Sequence, residues 1–199
     1  MKIKQLCRCA QDDDNKLYLL DEADKEGQVV RQYVNLNGRA MFPLDGMPIL
    51  NEETLLAVMD VPQAKRGDWC VTRSTMSERL QMMAADAKAT DGEACIGRIG
   101  IAMNGLALRL VFSQGGEKTS FVDSELLKVA GDHRDIQVWE RRVDGSTVFV
   151  LLNGLVNVGC IAPTAAHWGK NEALELFKAG KVAGHVFDKW EELHAEERN

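Results

Sequence analysis

Strict alternation of apolar and polar positions marks the middle of the chain. Ile99, Ile101 and Met103 occupy every second position, and after Asn104-Gly105 the pattern resumes at Leu106, Leu108, Leu110 and Phe112. A period of two places such residues on one face of a strand, and Asn-Gly tolerates the positive φ values that a two-residue hairpin turn demands. The sequence therefore predicts a hairpin here. Asn-Gly recurs at Asn37-Gly38 and Asn153-Gly154, and Asp144-Gly145 offers a fourth turn. Strand composition covers residues 16–20, 28–36 and 39–44, then 68–73 with Trp69 and Val71 on one side, and later 136–142, 147–152 and 155–161.

Helical periodicity is confined to short stretches. Asn51 is a good N-cap for a helix in which Glu52 and Glu53 favour the dipole, Leu55, Leu56, Val58 and Met59 form an apolar face, and Pro62 limits the extent. Thr75-Met76-Ser77-Glu78 fits a capping box and predicts a helix to about residue 88, with Met76, Leu80, Met83, Ala84 and Ala87 at helical spacing. Residues 123–130 predict another, closed by Gly131. In the tail, Asn171 can cap residues 172–179, and Val182, Val186, Trp190 and Leu193 mark one face of a final amphipathic helix.

The class expected is α+β, with antiparallel sheets, short helices and a helical C-terminal appendage. Residues 1–163 are expected to form the α+β domain, built from two related units at about 1–90 and 91–163, and residues 164–199 the appendage. Spacing carries the idea of duplication. Asn37-Gly38-Arg39-Ala40 leads through a helix to Asp68-Trp69-Cys70-Val71, and Asn104-Gly105-Leu106-Ala107 leads the same way to Asp135-Ile136-Gln137-Val138, 67 residues further on.

Composition narrows the partners. The 199 residues carry a net charge of −6, which gives no global attraction to nucleic acid or anionic membrane but allows a local basic patch. The longest strongly apolar run, residues 148–152, is too short to span a bilayer, and the N-terminus lacks a signal-peptide core. Five scattered cysteines do not make a disulfide framework. A cytoplasmic, reduced protein is expected, without a membrane partner.

Candidate chemistry is sparse. Cys7-Arg8-Cys9 reads as part of an N-terminal strand, and the pair lacks the further ligands of a metal site. Asp12-Asp13-Asp14 lacks the Gly and Glu of a calcium loop and reads as a hairpin tip. Cys160 and His167 are a candidate thiolate–imidazole couple, although Cys160 sits in an apolar strand, and the loop from Asp132 to Asp135 has groups for acid–base work. No phosphate-cradling glycine motif is present, and no cofactor is expected.

A resemblance adds a direction. Phe121-Val122-Asp123-Ser124-Glu125-Leu126-Leu127-Lys128-Val129, followed by Asp135-Ile136-Gln137-Val138, Val148-Phe149-Val150 and Val158-Gly159-Cys160-Ile161-Ala162-Pro163, resembles the half-domain unit of DNA sliding clamps. Residues 50–73 resemble the start of a second such unit. The resemblance covers about half the chain at the level of pattern. It implies a non-enzymatic binding or scaffold protein, a clamp-like accessory in DNA transactions that joins protein partners or copies of itself. Clamp helices line a hole around duplex DNA, and their basic residues meet phosphates without reading sequence. Carried over, this points to Lys128, and with it Arg73, Arg79 and Arg134, for phosphate contacts. Ala173-Leu174-Glu175-Leu176-Phe177 resembles the Leu/Phe peptide by which bacterial partners dock onto clamps. Leu174 and Phe177, together with Trp190, are therefore candidate partner-binding residues. The competing expectation is a small cysteine- or metal-dependent hydrolase using Cys160 and His167 or the Asp132–Asp135 loop.

Overall fold

Three of the four expected hairpin turns can be followed in the computed structural model, which describes residues 1–103, 106–113, 119–131 and 136–164. Asn37 and Gly38 have φ of 48° and 77°, and the Arg39 N–H donates to Leu36 O at 2.8 Å. Asp144 and Gly145 have φ of 49° and 76° between the paired residues Val143 and Ser146. Both are turns of the kind that need two positive φ values. The third sits one residue beyond its expected place. Asn153 pairs with Val156, so Gly154 (φ 64°) and Leu155 form the turn and only Gly154 has positive φ. Asn104-Gly105 lies outside the described residues, although Met103 pairs with Leu106 across it.

The elements run α1 (Ile3–Gln11), β1 (Lys16–Ala23), β2 (Val29–Leu36), β3 (Ala40–Pro43), α2 (Glu52–Val58), a 3-10 turn (Gln63–Asp68), β4 (Cys70–Thr75) and α3 (Glu78–Ala84). There follow β5 (Gly92–Met103), β6 (Leu106–Ser113), β7 (Thr119–Asp123), α4 (Ser124–Ala130), β8 (Gln137–Val143), β9 (Ser146–Asn153) and β10 (Val156–Ile161). The strands form one sheet in the order β4-β1-β2-β3-β10-β9-β8-β5-β6-β7. Neighbours are antiparallel except for β4, which lies parallel to β1. An α+β fold with a mostly antiparallel sheet is thus as expected. The expected C-terminal helices lie outside the described residues.

Two passages share an element order. A helix and a three-stranded meander occur as α1-β1-β2-β3 and again as α4-β8-β9-β10. They meet where β3 pairs with β10, Met41 opposite Cys160 and Ala40 opposite Ile161. Their helices lie antiparallel: the Lys2 N–H donates to Val129 O at 2.7 Å, and Gln5 Nε2 donates to Glu125 Oε2 at 2.8 Å. This order matches the Asn37-Gly38 turn with Asn153-Gly154, between the last two strands of each meander. Positions 67 apart are placed differently. β4 is an edge strand, whereas β8 lies inside the sheet between β9 and β5.

Adjacent residues on a strand face opposite sides, and the core divides accordingly. Leu17, Leu19, Val34, Leu36, Phe42, Val138, Phe149 and Leu151 pack with Leu6 and Ala10 of α1, Leu55 and Leu56 of α2, and Leu126 and Leu127 of α4. On the reverse face Leu20, Tyr33 and Met41 pack with Met76, Leu80, Met83 and Ala84 around α3. The sheet also bends back on itself. Although β7 is far removed from β10 in the strand order, the Thr164 N–H just beyond β10 donates to Phe121 O of β7 at 2.7 Å.

Three local expectations are corrected. Residues 7–9 are helical, because Ile3, Leu6 and Ala10 recur at helical spacing and direct one face of α1 to the core. Asp12 caps the end of that helix, so Asp12–Asp14 is not a hairpin tip. Ser77, rather than Thr75, caps α3 by accepting the Leu80 N–H at 3.4 Å, and the helix stops at Ala84.

The early stop has a specific cause. Arg141 of β8, only 3% exposed at its side chain, donates to the carbonyls of Met83 (2.9 Å), Ala85 (2.6 Å) and Asp86 (2.9 Å). Its remaining donors form a fork to Asp91, with Nε–Oδ1 2.8 Å and Nη2–Oδ2 2.5 Å. Asn157 completes the knot, donating from Nδ2 to Ala84 O at 2.7 Å and accepting the Gly159 N–H at 2.7 Å. Gly159 is required there, since a Cβ would lie 2.6 Å from the buried Phe42 ring. Burial opposes ionisation of Asp91 most strongly, but the hydrogen bonds from Arg141 and the Lys88 N–H, with the charges of both residues, together outweigh it and hold the carboxyl below its ordinary range. Its contribution to stability is therefore present above the unfolded carboxylate pKa, about 4, and is lost as pH falls through the lower folded value. Asp91→Ala strands a buried guanidinium and is expected to cost about 3–5 kcal/mol at pH 7. Urea unfolding from pH 7 to pH 3 should show that this gap narrows on acidification.

Candidate nucleic-acid interface

Helix α1 sorts its side chains by a period of 3.6. Leu6, Cys9 and Ala10 are buried, and Lys4, Arg8 and Gln11, at positions i, i+4 and i+7, form an exposed stripe. Lys2, at the N-cap, is also exposed. The antiparallel neighbour α4 begins at Asp123, whose carboxylate caps it by accepting the Glu125 N–H at 2.8 Å. Leu126, Leu127, Val129 and Ala130 of α4 are buried, Glu125 is half-buried and Lys128 is exposed. The outer surface of the pair therefore carries four cations, Lys2, Lys4, Arg8 and Lys128. Neither helix contains an aromatic residue.

Between the caps Glu125 is the one carboxylate of these two helices, while Asp12 is exposed at the end of α1 and Asp123 is buried at the start of α4. It pairs with Lys128 and accepts from Gln5 of α1. Hydrogen bonding to Lys128 keeps its carboxyl below the usual range against the opposing effect of burial, and Gln5 and the charge of Arg8 act in the same direction.

Of the phosphate candidates read from sequence, Lys128 stands on this surface. Arg73 is on the edge strand β4, where its Nε donates to Asp21 Oδ2 at 2.7 Å. Arg79 belongs to α3 on the reverse face and donates to Ser146 Oγ at 2.5 Å. Lys128 and Arg79 thus lie on opposite faces of the sheet. Arg134 lies outside the described residues, as do Leu174, Phe177, Trp190, His167 and the Asp132–Asp135 loop. Sequence reasoning missed Lys2, Lys4 and Arg8 because it took the first residues for a strand. The recurrence Ile3, Leu6, Ala10 was the signal for a helix.

Comparison with protein-family models, curated proteins and solved structures finds no match to this chain.

The helix beside this pair has the opposite character. Glu52 and Glu53 are exposed on α2, and Glu53 lies 3.6 Å from Arg66. Among the described residues no group of three His, Cys, Asp or Glu side chains is arranged to hold a metal, and no helix is long and apolar enough to cross a membrane.

Of the cysteines whose side chains are described, Cys9 and Cys160 are buried, Cys7 is half-buried and Cys70 is exposed. Cys160 is enclosed, donates to Met83 O at 3.0 Å and accepts from Asn157 Nδ2 at 3.3 Å. Burial pushes its thiol up to about 11, so it is protonated at neutral pH. The buried Cys9 thiol is likewise raised to about 11, whereas Cys70 is exposed at the start of β4. Iodoacetamide labelling of the native protein at pH 7.5 should therefore modify Cys70 at least about tenfold faster than Cys9 or Cys160. Mass mapping of the labelled peptides reads this directly.

Proposed function

We propose that this chain is a clamp-like accessory protein in DNA transactions, binding the phosphate backbone of duplex DNA through the outer surface of α1 and α4. The observation that carries this reading is the pairing of two antiparallel helices, each followed by a three-stranded meander, with Lys2, Lys4, Arg8 and Lys128 exposed on their shared surface. The repeated helix–meander order supports two related units, with boundaries set by that order rather than by the 67-residue spacing. It also supports the resemblance to clamp half-domains noted in the sequence.

The chemistry of the surface favours a sequence-independent duplex ligand. Lysine and arginine side chains neutralise phosphates and release condensed counterions, which makes affinity steeply dependent on salt. The absence of aromatic side chains from both helices removes the stacking platforms on which single strands depend. Both helices rest on a continuous core, so the cations are presented from rigid elements. An accessory of this kind works with a protein partner or further copies of itself.

Lys4→Gln with Arg8→Gln removes two cations from exposed positions and should leave folding unchanged. Duplex affinity measured by fluorescence anisotropy at 25–200 mM salt is expected to fall at least tenfold at the low end. The slope of log K against log salt should become shallower by about 2, roughly one unit for each phosphate that is no longer neutralised. An unchanged slope would remove this surface from the binding account.

A further inference from the structure

We infer that Glu125 is an internal competitor for phosphate, a carboxylate that limits how tightly the α1/α4 surface holds DNA. The inference rests on the proposed reading of that surface and adds a device that regulates it.

The geometry is particular. Glu125 projects from the first turn of α4 and is the sole carboxylate between the caps of either helix. One of its oxygens pairs with Lys128, the only cation of α4, and the other accepts from Gln5 Nε2 across the helix pair at 2.8 Å. Arg8 of the exposed α1 stripe is close enough for its charge to favour the ionised carboxylate. A phosphate approaching Lys128 must therefore share its ammonium with a carboxylate already bound to it or displace that group, and in either case does so beside a negative charge.

Both effects weaken binding without removing it. Opposite charges in contact at a half-exposed site attract only modestly, so Lys128 can be transferred from carboxylate to phosphate and back. The surface is consequently suited to brief, repeated contacts along a backbone rather than to a fixed complex. A structural role for Glu125 as a link between the helices makes a different prediction, because loss of the link would lower stability without tightening DNA binding.

Glu125→Gln separates the two. The amide keeps the size of the side chain and an oxygen to accept from Gln5, while the charge is gone. With a 24-base-pair duplex at 50 mM salt, the variant is expected to bind about three- to tenfold more tightly than the parent, through slower dissociation. Its salt slope should steepen by about one unit as Lys128 engages a phosphate of its own. In a Lys128→Gln background the same substitution should give less than half the gain, since the two side chains act as a pair. Glu78→Gln, an equal charge change on α3 across the sheet, should alter affinity by less than about twofold. Equal tightening by Glu78→Gln and Glu125→Gln would reduce the effect to net charge and overturn the inference. So would a Glu125→Gln protein that binds no tighter than a parent that does bind. Failure of parent and variant alike to bind duplex at 25 mM salt would overturn both the inference and the reading beneath it.

Discussion

Arg39 ties the two helix–meander passages together, and the helix surface depends on that tie. Its guanidinium leaves the β2–β3 turn and donates to Asp123 Oδ2 at 2.5 Å. The other oxygen of Asp123 caps α4, so one carboxylate fixes both the start of a helix and its position against the opposite passage. The Arg39 main-chain oxygen accepts the Ala162 N–H at 2.8 Å, just beyond β10. A single residue thus binds the end of β10 with its backbone and the beginning of α4 with its side chain. Asp123 is nearly buried, and leaving it unpaired would cost about 1–3 kcal/mol.

With this junction fixed, the sheet can serve two sides for different purposes. One face carries α1, α2 and α4 on the larger apolar cluster, and the other carries α3, locked by Arg141, Asp91 and Asn157. The buried ion pair is satisfied at every donor, which limits the cost of taking a guanidinium out of water. Charge is distributed with similar economy. A chain of net charge −6 presents exposed cations on α1 and α4 because the two helices contain one carboxylate between their caps, while acidic residues stand at those caps and on α2. Net charge therefore says little about a local phosphate site, and the local field decides.

Much of the fold was legible because its signals are local. The N-cap at Asn51, the helix from Asp123 to Gly131, the strands around Asp144-Gly145 and the paired strands β5 and β6 depend on turn chemistry and alternation, which neighbouring residues specify. The limits of α3 were not legible. Arg141 lies more than fifty residues from the carbonyls that it gathers, so the helical spacing running to residue 88 lost to a tertiary contact, and Thr75 ends β4 opposite Asp21 instead of capping the helix. The site was half legible. Lys128 could be named from its helix, but α1 is nine residues long with no side-chain cap at Lys2, and its cations acquire meaning only when α4 lies beside it. Glu125 was equally silent, because its link to Gln5 spans 120 positions.

The central claim is that one surface, made by two distant helices, meets the backbone of DNA. Lysine footprinting tests it most directly: the protein is acetylated with and without excess duplex at low salt, and each site is quantified by mass spectrometry. The account predicts that duplex protects Lys2, Lys4 and Lys128 together, while Lys65 and Lys88 react as before. Protection of Lys65 and Lys88 with Lys4 and Lys128 left reactive, or no protection at any lysine, would contradict it.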